Sequence, residues 1–292
     1  MKNRLHVLPA TLALMLLAGA TPGAGELDRD ANASPQINWL PQWETGLFGV
    51  ASRLPDYRGS DEYTVYVLPF PYFIYRGEIL QADRDGIRGF FFKGQRIETD
   101  ISMSGNPPVN SGNRARSGMP YLNPLLEIGP VIKYFFYRGE RSSGIDFEAA
   151  ARGVISIDKD NLAPHYQGKR ALLTLVMTGP DTLPGAPWSG GFNVGVDFAD
   201  HEYNSYFYDV SDAQVLPDRN SYSSGGGYGG LTISGYLIRE LTPTLSVSLY
   251  GQWDNIDGAI YEDSPLVKTR NNVVLGAAVI WEIAASKHRV AR

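Results

Sequence analysis

Histidines are the first candidates for chemistry in this chain, because imidazole titrates near neutral pH and serves both as a general base and as a metal ligand. The sequence has four: His6, His165, His201 and His288. His165 and His201 stand in polar segments rich in Ser, Asp and Tyr, where a hydrolytic site would need a serine nucleophile beside its base. No recognisable serine motif accompanies either residue. Exposed loop histidines are the simpler interpretation, and no catalytic residue is predicted.

A metal or cofactor site is not indicated either. His165 and His201 have no His, Cys or carboxylate partner at the spacing that metal sites use. Acidic positions such as Asp61, Asp160 and Glu262 could collect Ca²⁺ weakly, although solvated loop charges are the commoner reason for such residues. The sequence therefore predicts no cofactor and no enzymatic activity.

Alternation of polar and apolar residues is the stronger signal. Residues 244–254 read T-L-S-V-S-L-Y-G-Q-W-D, with Leu, Val and Trp on one side of a period-2 pattern and polar residues on the other. Strand side chains alternate between two faces, so this segment has one apolar and one polar face. The pattern recurs along the chain, and no helical period is found beyond the first 20 residues. The fold is predicted to be all-β.

The first 20 residues have the layout of a secretory leader. Lys2 and Arg4 precede an apolar run at 8–17 and a small-residue exit, Ala-Gly-Ala, at 18–20. The apolar run is too short for a membrane anchor, since a helix needs ~20 apolar residues to span a bilayer. We predict export and cleavage after Ala20, then a flexible periplasmic lead-in at 21–43, a β-barrel at 44–283 and a basic tail at 284–292.

Composition restricts the class of the exported protein. The net charge is −5 with the leader included, and there is no Cys, which argues against a nucleic-acid partner and against a disulfide scaffold. No later apolar stretch approaches the ~20 residues of a membrane helix. Two classes remain, a soluble periplasmic protein and an outer-membrane β-barrel. The 32 Gly, 17 Tyr, 12 Phe and 5 Trp suit strands, tight turns and aromatic girdles, and favour the barrel.

A transmembrane antiparallel barrel of about twelve strands is predicted, an even number as such barrels require. The segments at 78–83 and 87–92 are shorter than the ~9–11 residues that span a membrane, and every later segment would change sides if they formed one strand. The predicted strands are 44–53, 64–75, 78–83, 87–92, 96–103, 125–137, 144–158, 169–178, 188–199, 227–239, 244–254 and 272–283.

Loop lengths agree with this count. Connections 54–63, 84–86, 104–124, 159–168, 200–226 and 255–271 are predicted outside, and 76–77, 93–95, 138–143, 179–187 and 240–243 inside. Nearly all the long polar connections fall in the first group, as expected of outer-membrane barrels. Within 200–226, the segment 203–208 could extend the preceding strand. Pro69 and Pro71 require that 64–75 be irregular, bulged or an edge strand.

Charged residues on the polar faces of these strands would point into the lumen. Both signs occur among them, so ion pairs across a narrow interior are expected rather than a wide selective pore, and the barrel is predicted to conduct poorly. The predicted lumen-facing charges are Glu98, Asp100, Glu127, Lys133, Glu148, Arg152, Arg170, Asp197 and Asp254.

Four sequence strings, spread over about 46–282, resemble the MipA/OmpV family of Gram-negative outer-membrane proteins. They are P-D-Y-R-G-S-D at 55–61, L-P-F-P-Y at 68–72, Y-N-S-Y-F-Y-D-V-S-D-A-Q at 203–214 and D-S-P-L-V at 263–267. The residues on which the resemblance depends are Asp56, Tyr57, Gly59, Ser60, Asp61, Pro69, Pro71, Tyr203, Tyr206, Asp263, Ser264 and Pro265. The sequence differs from the family at its C-terminus, where a basic tail replaces the usual terminal aromatic residue.

The resemblance implies a monomeric outer-membrane barrel in contact with lipid and lipopolysaccharide, and it brings no catalytic residues. One member of the family bridges a murein-degrading lytic transglycosylase and a penicillin-binding synthase. The expected function is therefore an envelope scaffold linked to murein-synthesising and murein-hydrolysing enzymes. A small-solute porin or adhesin is the alternative, and an outer-membrane lipid hydrolase a distant one. Periplasmic contact segments for a scaffold would be 21–40, 138–143, 178–187 and 287–292.

Overall fold

The computed structural model describes residues 39–76, 80–83, 86–89, 92–109, 112–139, 143–179 and 187–291. The predicted leader and most of the predicted lead-in lie outside these ranges. Among the described residues, no helix combines the length and the apolarity needed to cross a membrane.

The described chain is mainly β-structure, with one short helix. A 3₁₀ turn at Asp212–Gln214 follows the helix. The strands are β1 Trp39–Pro41, β2 Trp43–Pro55, β3 Tyr63–Arg76, β4 Leu80–Asp83, β5 Gly86–Gly89, β6 Phe92–Lys93, β7 Ile97–Asn106, β8 Leu125–Arg138, β9 Gly144–Ile157, β10 Pro164–Gly179, β11 Ser189–Ala199, β12 Gly227–Thr242, β13 Leu245–Asn255, β14 Asn271–Ala285 and β15 Arg289–Ala291, and the helix is α1 His201–Tyr208.

Thirteen of these strands form one antiparallel sheet in the order β5-β4-β3-β2-β14-β13-β12-β11-β10-β9-β8-β7-β6. The first and last long strands are neighbours, with Phe48 of β2 opposite Ile280 of β14. This pairing of the two chain ends is what a barrel requires, and the predicted all-β barrel class is confirmed. The hydrogen-bonded ladder is not continuous, because among the described residues it ends at β5 on one side and at β6 on the other.

The region 78–93 explains that gap. Successive antiparallel pairings give β5 and β6 the same direction, and β5 pairs with β4 while β6 pairs with β7. β5 and β6 thus share one strand position, and the thirteen described strands fill twelve positions in the sheet. β4 pairs with the end of β3, where Ala82 lies opposite Tyr75 and Gln81 opposite Arg76. The predicted outer connection 84–86 lies outside the described residues except for Gly86.

β3 shows how a strand accommodates two prolines. It pairs with β2 in unbroken register from Tyr63 to Tyr75, with Pro69 opposite Gly49 and Pro71 opposite Leu47. On its other side the described pairing involves only Tyr75 and Arg76. Of the three predicted possibilities the edge strand is the one observed, because proline has no N–H to give to a second neighbour.

The outer face of the sheet is apolar and exposed. In β3, Val65 and Val67 are 66% and 70% exposed, while the alternating residues Tyr66 and Leu68 are buried. In β13, Leu249 is exposed and Asp254 is buried. Contiguous exposed aliphatic surface is costly in water and suits hydrocarbon, as in a barrel that crosses a membrane.

The two ends of the described chain pair with each other. β1 and β15 form a two-stranded sheet in which Trp39 faces Ala291 and Pro41 faces Arg289. The last long strand runs to Ala285, two residues beyond its predicted end. Part of the predicted basic tail therefore forms a β-strand, which pairs with residues that precede β2.

Candidate functional site

Four long connections meet at one end of the barrel and form a cap, defined here as the loops 56–62, 107–124, 200–226 and 256–270. Asn113 donates from Nδ2 to Asp56 (2.8 Å) and Ser60 (3.2 Å), and Ser264 Oγ donates to the carbonyl of Tyr208 (2.7 Å). Arg116 donates to the carbonyl of Phe207 (2.6 Å). The prediction that these four loops share one end is confirmed.

Loop 56–62 lies at the centre of the cap, and it carries the first family string. Tyr57 and Ser60 are buried, and the Tyr57 hydroxyl donates to the carbonyl of Leu266 (2.8 Å). Asn272 at the start of β14 accepts from the Gly59 N–H (2.7 Å) and donates to the carbonyl of Ser60 (2.8 Å). This loop is therefore folded inward and fixed from several sides.

Gly59 is required at its position. Its φ of 92° lies in the left-handed region, and a Cβ there would be 3.2 Å from side-chain carbons of Ile256 and Val267. Its carbonyl accepts from the N–H groups of Lys268 (2.7 Å) and Thr269 (3.1 Å). A larger residue would separate loop 56–62 from loop 256–270.

The Tyr-rich string forms α1 and the residues just after it, not an extension of β11. Asp200 is the N-cap and accepts from the Tyr203 N–H (3.0 Å). Tyr203, Asn204, Phe207 and Tyr208 are buried, which is the spacing of one helical face. Tyr206 donates to the carbonyl of Asn123 (3.0 Å), joining α1 to the loop 107–124.

The remaining family residues divide between the cap and the barrel wall. Ser264 is buried in the cap, and Asp61 and Asp263 are exposed on it. Pro265 is half-buried beside them. Pro69 and Pro71 lie far from the cap contacts, on the exposed face of β3.

Below the cap, alternating charges form a continuous ion-paired chain on the neighbouring strands β8 to β13, joined by Arg58 of loop 56–62. Its order is Asp254, Arg58, Asp197, Arg170, Glu127, Arg152. Arg58 pairs with Asp197 and lies 3.4 Å from Asp254, and Arg170 lies 3.2 Å from Asp197 and 2.8 Å from Glu127. Arg152 lies 3.5 Å from Glu127. Three carboxylates and three guanidinium groups compensate one another, so the chain is neutral overall.

Of the predicted lumen-facing charges, five belong to this chain and the other four lie elsewhere. Glu148 pairs with Lys133 at 3.1 Å, and Glu98 pairs with Arg138 at 3.2 Å. Asp100 is 1% exposed. Burial of charges is tolerated where they are paired, and the paired charges found here match the ion pairs expected of the interior.

Arg58 is the residue that sequence reasoning missed. It stands between Tyr57 and Gly59 in the quoted string, but a loop arginine carries no period-2 signal. Burial by itself would lower the pKa of its guanidinium, whereas Asp197, Tyr261 and Asp254 together raise that pKa above its ordinary value. Arg58 is therefore always charged, and it links loop 56–62 to β11 and β13.

The pKa values of buried tyrosine hydroxyls in the cap are also shifted. Burial raises the pKa of Tyr261 to about 12. Burial likewise raises the pKa values of Tyr57, Tyr203 and Tyr208 above the ordinary value. Tyr208 and Tyr261 stack with ring centroids 3.7 Å apart, and the Tyr208 hydroxyl donates to the carbonyl of Arg58 (3.0 Å).

A cavity of about 330 Å³ lies between the cap and the barrel wall. Its upper part is formed by loop 56–62 and by aromatic residues of α1. Its wall is formed by hydroxyl and amide residues of β10 to β13, including Thr174, Asn193 and Ser234.

The histidines take no part in this site. His165 is exposed on β10, and His201 is exposed at the first position of α1, where its Nδ1 lies 2.6 Å from the carbonyl of Ser224. Neither lines the cavity. Within the described ranges no three His, Cys, Asp or Glu residues are grouped so as to hold a metal ion.

Comparison with known proteins agrees with the resemblance seen in the sequence. The family model described as MltA-interacting protein MipA matches residues 46–283. The outer membrane protein Omp26La of Vibrio anguillarum is 23% identical over 274 residues, which cover 91% of this chain and 95% of that protein. The match to the family model begins in β2 and ends in β14, so it includes the whole of the cap.

Proposed function

The chain belongs to the MipA family of MltA-interacting proteins, and from this we propose that it is a non-enzymatic outer-membrane β-barrel that serves as a scaffold for murein-processing enzymes. In this proposal it is exported with a signal peptide cleaved after Ala20, and it stands in the Gram-negative outer membrane as a monomer in contact with lipid and lipopolysaccharide. Its partners are a periplasmic murein hydrolase and a penicillin-binding synthase. It uses no cofactor and binds no nucleic acid.

The observation that carries the proposal is the ion-paired, capped interior. The ion-paired chain from Asp254 to Arg152 follows the neighbouring strands β13 to β8, and loop 56–62 folds over it and contributes Arg58. A barrel with such an interior is poorly suited to passing solutes, so its surfaces are the parts left to act on other molecules. The relative Omp26La and the exposed aliphatic face support an outer-membrane location. In this proposal the cap lies outside and the short connections lie in the periplasm, as is usual for such barrels.

The periplasmic surface that best fits a protein partner is the β1–β15 sheet. Lys287, His288 and Arg289 are exposed beside it. The Gln42 N–H donates to the carbonyl of His288 (2.9 Å), which holds this basic segment against the base of the barrel. A fixed cationic surface is complementary to an acidic surface of a partner enzyme.

The scaffold proposal is tested by photo-crosslinking in cells. A crosslinking amino acid at Lys287 should recover a murein hydrolase or a murein synthase. The same amino acid at the exposed Ser223 of the cap is the matched control and should recover neither. Absence of murein enzymes from the Lys287 product, or equal recovery from both positions, would contradict scaffolding.

A small-solute porin is the second candidate, and the cavity beneath the cap is the observation that favours it. Liposome swelling separates the two functions. A scaffold should leave vesicles as impermeable to small sugars as vesicles without protein, whereas a porin should make them swell at rates that fall with solute size.

A further inference from the structure

A scaffold function does not account for the cavity beneath the cap. About 330 Å³ lies at the lower end of the ~300–1,000 Å³ typical of small-molecule sites. It is bounded above by loop 56–62 and α1, and on one side by β10 to β13.

The charged groups around the cavity are ion-paired or hydrogen-bonded, although the Nε atoms of Arg58 and Arg170 have no hydrogen-bond partner among the described residues. Asp197 is paired with Arg58 and Arg170. Asp254 accepts from Thr232 Oγ1 (2.6 Å) and Gln252 Nε2 (2.7 Å) in addition to its pairing with Arg58. Asp56 accepts from Thr64 (2.8 Å) and Asn113 (2.8 Å). A charged ligand would lose its hydration and would have to displace one of these partners, so the cavity disfavours ions.

The uncharged part of the wall suits a different kind of ligand. Thr174, Asn193, Ser234 and Gln252 present hydroxyl and amide groups, which both donate and accept hydrogen bonds. Tyr203 and Phe207 add aromatic surface at the upper end. Hydroxyl-rich molecules combine donors and acceptors with apolar C–H faces that pack on aromatic rings.

We propose that this cavity binds a small neutral polyhydroxylated solute of monosaccharide size. The solute sits under the cap, hydrogen-bonded to the wall of β10 to β13, and the ion-paired chain beside it excludes charged competitors. This site does not depend on a protein partner. If no sugar binds, the scaffold proposal is unaffected, and if no murein enzyme is crosslinked, the sugar-site proposal is unaffected.

Saturation-transfer NMR on the purified full chain in detergent tests the site directly. The probes are N-acetylglucosamine as the neutral solute, glutamate as the anion and putrescine as the cation. We expect a saturable signal for N-acetylglucosamine and none for the two ions. No saturable binding of the sugar, or a preference for either ion, would overturn the proposal.

Variants then locate the binding. Asn193→Leu should abolish sugar binding, because it replaces the amide donor and acceptor with methyl groups of similar size. Val194→Leu, at the adjacent residue that does not line the cavity, should leave binding unchanged. Thr174→Val, which keeps the shape and removes one hydroxyl, should weaken binding about fivefold to tenfold. If Asn193→Leu fails to fold, Thr174→Val decides the question. Binding that is equal in wild type and Thr174→Val would place the sugar elsewhere and refute the assignment.

Discussion

Arg58 is a single loop residue that connects several parts of the barrel interior. Its guanidinium reaches two carboxylates on different strands, Asp197 of β11 and Asp254 of β13. Its carbonyl accepts from Tyr208 of α1 (3.0 Å). Arg58 thus joins loop 56–62 both to the barrel wall and to α1, in addition to the contacts that Tyr57, Gly59 and Ser60 make.

Replacing Arg58 with alanine should therefore destabilise the protein strongly. Asp254 would remain buried without its cation and Asp197 would keep only Arg170, and breaking a buried pair typically costs about 3–5 kcal/mol. The measurement is the free energy of unfolding in urea from lipid vesicles.

Arg114 provides the matched control for this substitution. It is a cap arginine whose side chain is 79% exposed, and it pairs with Glu62 at 3.1 Å. Exposed pairs contribute at most about 1 kcal/mol, so Arg114→Ala should have little effect. Equal losses in the two variants would show that Arg58 does not have the role assigned to it.

The buried phenols of the cap predict sensitivity to alkali. The pKa of Tyr261 is raised by burial to about 12, whereas an unfolded tyrosine titrates near 10. Between these values the unfolded state has released a proton that the folded state still holds, so the stability present below pH 10 is lost as pH rises toward 12. Protease cleavage of the cap should increase steeply above pH 10, together with tyrosinate absorbance. A cap equally resistant at pH 8 and pH 11 would contradict this.

At the scale of elements, α1 is the part that the sequence pattern did not predict. The segment H-E-Y-N-S-Y-F-Y has high β-propensity from its aromatic residues, and eight residues are too few for a clear helical period. The signal that was available is Asp200, an N-cap residue followed by buried positions at 203, 204, 207 and 208. The helix forms because its buried face packs into the cap.

Asp200→Ala should loosen α1 without unfolding the barrel. The substitution removes the hydrogen bond to the Tyr203 N–H, a capping contribution of about 1 kcal/mol. Hydrogen exchange of the amides in 201–208 should accelerate about fivefold. Asp218→Ala, at an exposed cap residue, is the control and should leave hydrogen exchange in 201–208 unchanged. Unchanged exchange in Asp200→Ala would mean that the cap, not the helix terminus, fixes this segment.

At the scale of the whole molecule, the exposed aliphatic face carries the membrane assignment. Val67 on β3 is 70% exposed, and in a water-soluble protein a charge would be harmless there. In a bilayer, Val67→Arg should cost about 2 kcal/mol or more. Unfolding from lipid vesicles measures this cost, with Ser223→Arg on the exposed cap as the control. No difference between the two variants would contradict a lipid-facing position for Val67.

Much of this architecture could be predicted from sequence, because alternation and loop length are local signals. They indicated the β-barrel class and the four long loops at one end. The charges that the structure buries, such as Glu127 and Asp197, were also visible as polar positions in strands. The sequence also indicated short strands at 78–83 and 87–92. Three features depend on contacts between distant residues and could not be predicted: the inward fold of Arg58, the helix α1, and the break in the described ladder between β5 and β6.

The central claim is that the interior of the barrel is filled and capped, and single-channel recording of the purified protein in planar bilayers tests it most directly. The ion-paired chain beneath loop 56–62 predicts no large, stable conductance steps from the wild-type protein. Arg58→Ala, if it inserts, should produce frequent openings. Large, stable steps from the wild-type protein would contradict the account.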